Sequence, residues 1–249
     1  MNLAPTQRTH RKMESMDGAT QNTIPAARHI SQGILGIFRA WLTDSVGEQR
    51  WLRPVPVIGG HWDTLLLALA LVLGNLHLIG WGQPVHWIFQ ADRVAAGEWW
   101  RIFTHPFVHL SWYHLALDGA AFFLLYAELR RSGWPLRLKI MLLCSGGSLL
   151  AAWLWAPQVA LLGLCGLSGT AHGLMAFGGL ARMRDRRTRL AGGVVFGLVA
   201  AKSIMEGITG EVVFTFMHMG LCGTPIAMAH LGGVAGGVSA GLLNEKSGD

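Results

Sequence analysis

LLGLCGLSGTAHGLMAFGGLA, residues 161–181, is apolar enough to cross a bilayer, yet it carries a hydroxyl at Ser168 and an imidazole at His172 among its glycines. About 20 predominantly apolar residues make a helix that spans the hydrocarbon core. Five further runs of this kind are read at 64–82, 112–129, 136–156, 190–209 and 222–243. The pattern predicts an all-α polytopic membrane protein with a bundle of six transmembrane helices. Composition points the same way. The chain is 51% hydrophobic and 14% charged, with a mean hydropathy of +0.38, whereas a soluble domain has about 25% charged residues.

Charge predicts the orientation. Of the 20 Lys and Arg, seven precede the first run, four lie at 130–139, five at 182–189 and Lys246 follows the last run; Arg93 and Arg101 fall on the other side. Basic residues stay on the cytoplasmic face, so both termini are expected in the cytoplasm of a bacterial cell, with segments 83–111, 157–160 and 210–221 outward. The same runs suit contact with anionic lipid rather than with nucleic acid. Residues 1–60 read as a cytoplasmic tail without a signal peptide, 61–243 as the membrane domain and 244–249 as a short cytoplasmic tail. Within the first segment, ILGIFRAWL predicts a short interfacial helix at about 34–43. The Trp-rich segment 83–111 predicts a packed element at the outer membrane interface.

Polar residues inside spans are costly and mark function. They are His114 and Asp118, Ser168 and His172, Lys202 and Glu206, and His230. Counting 1.5 Å per residue from the outward ends puts Ser168, Asp118 and His230 roughly 10–12 Å deep, with His114 somewhat shallower. Gly169 and Gly173, and Gly233 and Gly237, are the small residues that let the fourth and sixth helices approach closely. Ser168 can then meet His230, a base able to activate its hydroxyl. No acidic third member is evident beside His230, so the expectation is a Ser–His dyad. Lys202 and Glu206 are spaced i, i+4 and pair more cheaply in lipid than two separate charges; they are expected either to brace the fifth helix or to line a substrate gate. No metal or other cofactor is expected, since the histidines lack zincin spacing. His105, His109 and His218 read as loop hydrogen-bonders. Cys165 and Cys222 face the same mouth, which leaves a bridge between them open; Cys144 reads as a buried small residue.

GEWWRIFTHPFVHLSWYHLALD at 97–118, GLSG at 166–169 and AHLGGVAGG at 229–237 together resemble the rhomboid intramembrane serine proteases. That resemblance implies a protease that cuts transmembrane or membrane-anchored proteins within or next to the membrane. In it Ser168 is the nucleophile and His230 the base. His114 and the Ser168 backbone N–H form the oxyanion hole, Gly166 opens the GLSG stretch as a supporting residue, and Arg101 with Trp100 forms a structural pair. Glu128 is similar to a family glutamate that braces loops. Where the family has Asn this chain has Asp118, which as a neutral acid could donate to an oxyanion and otherwise orients His114. His172, Lys202 and Glu206 are similar to the rhombosortase branch, which implies secreted bacterial substrates with a C-terminal Gly-Gly segment. His172 is expected beneath Ser168, supporting His230. Two alternatives stand beside this: an inactive rhomboid-like protein that binds membrane clients, and a small transporter with Lys202 and Glu206 as its relay.

Overall fold

The computed structural model describes residues 62–213 and 215–245, and among these described residues there are nine α-helices joined by short 3-10 turns. The helices are α1 (Trp62–Gly74), α2 (Ala91–Ala95), α3 (Arg101–Thr104), α4 (Trp112–Glu128), α5 (Trp134–Trp155), α6 (Val159–Leu162), α7 (Ser168–Met183), α8 (Arg189–Thr209) and α9 (Ala227–Glu245). Among the described residues the one extended pairing is an antiparallel bridge between Phe89 and Leu164. Helices α5 and α8 are each long and apolar enough to cross a membrane, while α1 is apolar but shorter. The interfacial helix expected at 34–43 lies outside the described residues.

The surface is apolar and the interior holds charge. Leu65, Leu66, Val72, Trp153, Trp155 and Ile208 are exposed, whereas Asp63, Arg101, Asp118, Arg137 and Glu206 are buried. A water-soluble chain does not arrange itself this way; apolar surface on this scale belongs against lipid.

Helix α9 is the central post, packed on α5, α7 and α8. Its glycines set the distance. A Cβ at Gly233 would collide with the carbonyl of Gly169, one at Gly237 with that of Gly173, and those at Gly232 and Gly236 with the carbonyls of Gly147 and Leu143. The backbones of α7 and α5 therefore lie directly against α9, as small residues allow.

One end of the bundle is pinned by ions. The Asp63 carboxylate takes Arg137 Nη2 at 2.7 Å and the Tyr126 hydroxyl at 2.7 Å, tying α1, α4 and α5 together. Glu128 meets Arg182 at 2.9 Å and joins α4 to α7. The opposite end holds the first turns of α4, α7 and α9 and the last turn of α8, and there segment 83–111 folds into short helices. Arg101 is its clamp: Nη1 donates to the carbonyls of Val85 and Ile88 at 2.5 and 2.7 Å, and Nε to Glu98 at 2.7 Å. Trp100 Nε1 donates to the His86 carbonyl at 3.3 Å. His105 is buried with Nδ1 against the carbonyls of Arg101 and Ile102 at 3.2 and 3.0 Å. Desolvation lowers its pKa from 6.5 to about 4, so the ring is neutral.

The fourth run departs from a continuous helix over 161–181. Helix α6 stops at Leu162, and Gly163 and Gly166 adopt φ of +75° and +101°, a region open to glycine and closed to most residues. Helix α7 begins only at Ser168. The serine is thus the first residue of its helix, and depth counted along a helix from 161 does not apply to it.

Candidate active site

Gly166 shapes the approach to Ser168. Its amide donates to the His105 carbonyl at 3.0 Å, and a side chain there would press on Asp118 Oδ2 and the His114 ring. The chain then turns sharply into α7, leaving the N–H groups of Leu167 and Ser168 free of helical partners, as at any helix start.

Ser168 Oγ lies 3.2 Å from His230 Nε2. The other ring nitrogen, Nδ1, donates to Glu206 Oε2 at 2.7 Å. This corrects the expectation of a dyad without an acidic partner: the carboxylate comes from α8, 24 positions before His230, and is fully buried. Pairing Glu206 with Lys202 by helical spacing hid this, because a carboxylate has two oxygens and the spacing accounts for one. Lys202 Nζ takes that one, Oε1, at 2.6 Å, and the Val213 amide donates to the same atom at 2.8 Å.

His172 closes the circuit. Its ring stacks on that of His230 with centroids 4.1 Å apart and planes 10° from parallel. Nδ1 donates to the Ser168 carbonyl at 2.8 Å, and Nε2 accepts from Lys202 Nζ at 2.9 Å. Every bond then runs in one consistent sense. Lys202 donates to His172 and Glu206, His172 to the Ser168 carbonyl, His230 to Glu206, and the Ser168 hydroxyl to His230. The lysine fixes one tautomer, the glutamate the other. The expected beneath-the-serine position of His172 is where the ring lies, and Lys202 and Glu206, read from the sequence as a brace or a substrate gate, contact His172 and His230.

Asp118, read from the sequence either as a neutral donor to an oxyanion or as a support for His114, accepts at Oδ2. Its Oδ2 receives the amides of Leu167 at 2.9 Å and Ser168 at 3.0 Å, with His114 Nε2 at 3.2 Å and His109 Nε2 at 3.5 Å. Backbone N–H groups cannot accept, so the oxygen facing them must be the acceptor. The second possibility read from the sequence, that Asp118 orients His114, matches the 3.2 Å contact. His114 itself is set by the α4 cap, where Ser111 Oγ accepts its amide at 3.1 Å.

A cavity of about 340 Å³ opens over these groups, lined by Ser168, His230, His114, Asp118, His218 and Cys222 among others. Cys165 and Cys222 both line it and are unbridged, as is buried Cys144. The sequence reading missed His109 and Asn75 as site residues. Asn75 at the end of α1 accepts the His109 amide at 2.9 Å, and His77 Nε2 donates to the His109 carbonyl at 2.9 Å. No local pattern joins positions 75, 77 and 109; only the docking of α1 does.

Comparison with curated proteins returns no match. The Rhomboid domain family matches residues 96–246, a stretch that contains Arg101, His114, Asp118, Ser168, Glu206 and His230. The chain therefore belongs to the rhomboid family, whose members are membrane-embedded and generally serine intramembrane proteases.

Proposed function

We propose that the protein is an active intramembrane serine endopeptidase working through Ser168, His230 and Glu206. The observation that carries this reading is the pair of contacts on His230, 3.2 Å to Ser168 Oγ and 2.7 Å to Glu206. Ser168 attacks the scissile carbonyl as His230 Nε2 takes its proton. Glu206 holds the ring in the right tautomer and offsets the imidazolium charge, and His230 then protonates the leaving amine before water releases the acyl group. The flat face of His172, its own nitrogens already occupied, supports the ring throughout. The developing oxyanion is received by the amides of Ser168 and Leu167 and by His114 Nε2, the donors that now converge on Asp118 Oδ2. Substrate must displace that carboxylate, so Asp118 acts as a resident occupant of the hole and leaves it during turnover.

Substrates are read as transmembrane or C-terminally anchored proteins. The similarity of His172, Lys202 and Glu206 to the rhombosortase branch supports C-terminal Gly-Gly segments of secreted bacterial proteins. The apolar exterior and the one-sided Lys and Arg support six spans, the inner membrane and cytoplasmic termini. The client-binding reading is disfavoured by a serine and a histidine held at reacting distance.

The test is a serine-directed phosphonate applied to the purified protein. Labelling is expected at Ser168, absent in Ser168→Ala and nearly absent in His230→Ala. In Glu206→Gln it is expected to slow by roughly 10⁴-fold, as losses of a triad acid do. Equal labelling of wild type and Ser168→Ala would return the protein to client binding.

A further inference from the structure

Two groups of three metal-ligating side chains occur among the described residues, and they differ in one respect. His172, Glu206 and His230 already surround a cation, because Lys202 Nζ bonds both His172 Nε2 and Glu206 Oε1. His109, His114 and Asp118 have ligand atoms equally close together, within 4.8 Å of one another, and no lysine or arginine among the described residues pairs with Asp118. Here a negative charge and two imidazoles converge without a cation.

A second observation points to a ligand. The His109 side chain is wholly buried, and apart from the long 3.5 Å approach of Nε2 to Asp118 Oδ2 neither ring nitrogen makes a hydrogen bond. Buried polar groups are almost always satisfied, and one that is not asks for an unseen ion or water. Asn75 and His77 hold the His109 backbone on both sides, and from there its buried ring places Nε2 toward Asp118. The His109 and His114 rings meet edge to face at 77°, so they do not stack.

We propose that His109, His114 and Asp118 form a Zn²⁺ site that holds the oxyanion hole closed. Four-coordinate zinc with bonds of about 2.0–2.2 Å sets its ligand atoms roughly 3.3–3.5 Å apart. Asp118 Oδ2 stands 3.2 Å from His114 Nε2 and 3.5 Å from His109 Nε2. The amides of Leu167 and Ser168 donate to the same Oδ2 and orient the carboxylate, as outer partners of metal ligands do. His114 and Asp118 line the cavity that contains Ser168. Binding moves one proton: His114 Nε2 gives up its hydrogen to coordinate, and the long 3.4 Å approach of the Leu110 amide to Nδ1 is lost. With zinc in place Asp118 is fixed over the Ser168 amide and substrate cannot take its position. Closure rests on the protease reading; metal binding does not.

The experiment uses the full chain without a polyhistidine tag, treated with EDTA and titrated with Zn²⁺ by calorimetry. One equivalent is expected to bind in the wild type and none in His109→Gln, whose folding is checked by thermal melting. Co²⁺ in the wild-type protein is expected to give the intense visible bands of a low-coordinate nitrogen and oxygen site without thiolate charge transfer. Zn²⁺ is expected to slow phosphonate labelling of Ser168 at least tenfold, EDTA to restore it, and His109→Gln to be indifferent to both. Absence of stoichiometric binding, binding that survives His109→Gln, or a thiolate spectrum from Cys165 or Cys222 would overturn the site. Zinc binding that leaves labelling unchanged would overturn the closure. A metal-free protein that never labels counts against the protease reading alone, since calorimetry and Co²⁺ spectra need no activity.

Discussion

Asp118 carries the sharpest consequence of a single atom. As a carboxylate its Oδ2 accepts from two backbone amides, and hydrogen bonds to a charged acceptor contribute about 1 kcal/mol more than those to a neutral one. Asp118→Asn keeps the shape and weakens that hold, so metal-free protein carrying it is expected to label at Ser168 roughly 5–10-fold faster than wild type. Labelling that slows instead would show that the carboxylate supports His114 more than it blocks the hole. His105 makes a separate prediction from burial. Its folded pKa is about 4 against 6.5, so between those values the unfolded chain binds the extra proton. Stability is therefore full above about pH 6.5 and falls as pH drops toward 4, by roughly 3 kcal/mol at the limit. Thermal melts across this window should show the loss, and His105→Gln should flatten it.

Between elements, the contact of α7 with α9 sets the distance from Ser168 to His230. Gly233 lies against the Gly169 carbonyl one residue past the nucleophile, with no room for a methyl group. Gly233→Ala must push the helices apart, at a cost of roughly 1–3 kcal/mol, and it lengthens the 3.2 Å contact. A lower melting temperature together with slower labelling is expected. Gly193→Ala in α8 is the control, because nothing lies within 4 Å of the added carbon; it should leave both unchanged. Equal effects from the two would mean that glycine content, and not this contact, governs the bundle.

For the molecule as a whole, the ionic end and the reactive end are separate. Asp63, Arg137 and Tyr126 bind α1, α4 and α5 at the end of α4 opposite to His114 and Asp118. Removing one partner of a buried pair strands the other, at roughly 3–5 kcal/mol, whereas replacing both with apolar residues is often neutral. Asp63→Leu alone should lower the melting temperature markedly, and Asp63→Leu with Arg137→Met should recover most of it. The phosphonate labelling rate per folded molecule should not change in either. A double variant no better than the single would assign the loss to the Tyr126 hydroxyl, which also bonds Asp63.

What the sequence by itself determined is local or compositional. Apolar runs fixed the all-helical class, because a helix alone satisfies its own backbone in lipid. Glycines at spacings of four marked the faces that touch. Ser168, His230, His114 and Asp118 could be picked out because polar side chains in apolar runs are too costly to be incidental. The tertiary structure decided what depends on separation along the chain. Glu206 meets His230 across 24 positions and His109 meets Asp118 between a loop and a helix, and each choice rests on which of two oxygens or two nitrogens faces which neighbour. A helical spacing of four identifies one partner of Glu206. The second partner exists only once α9 has packed against α8.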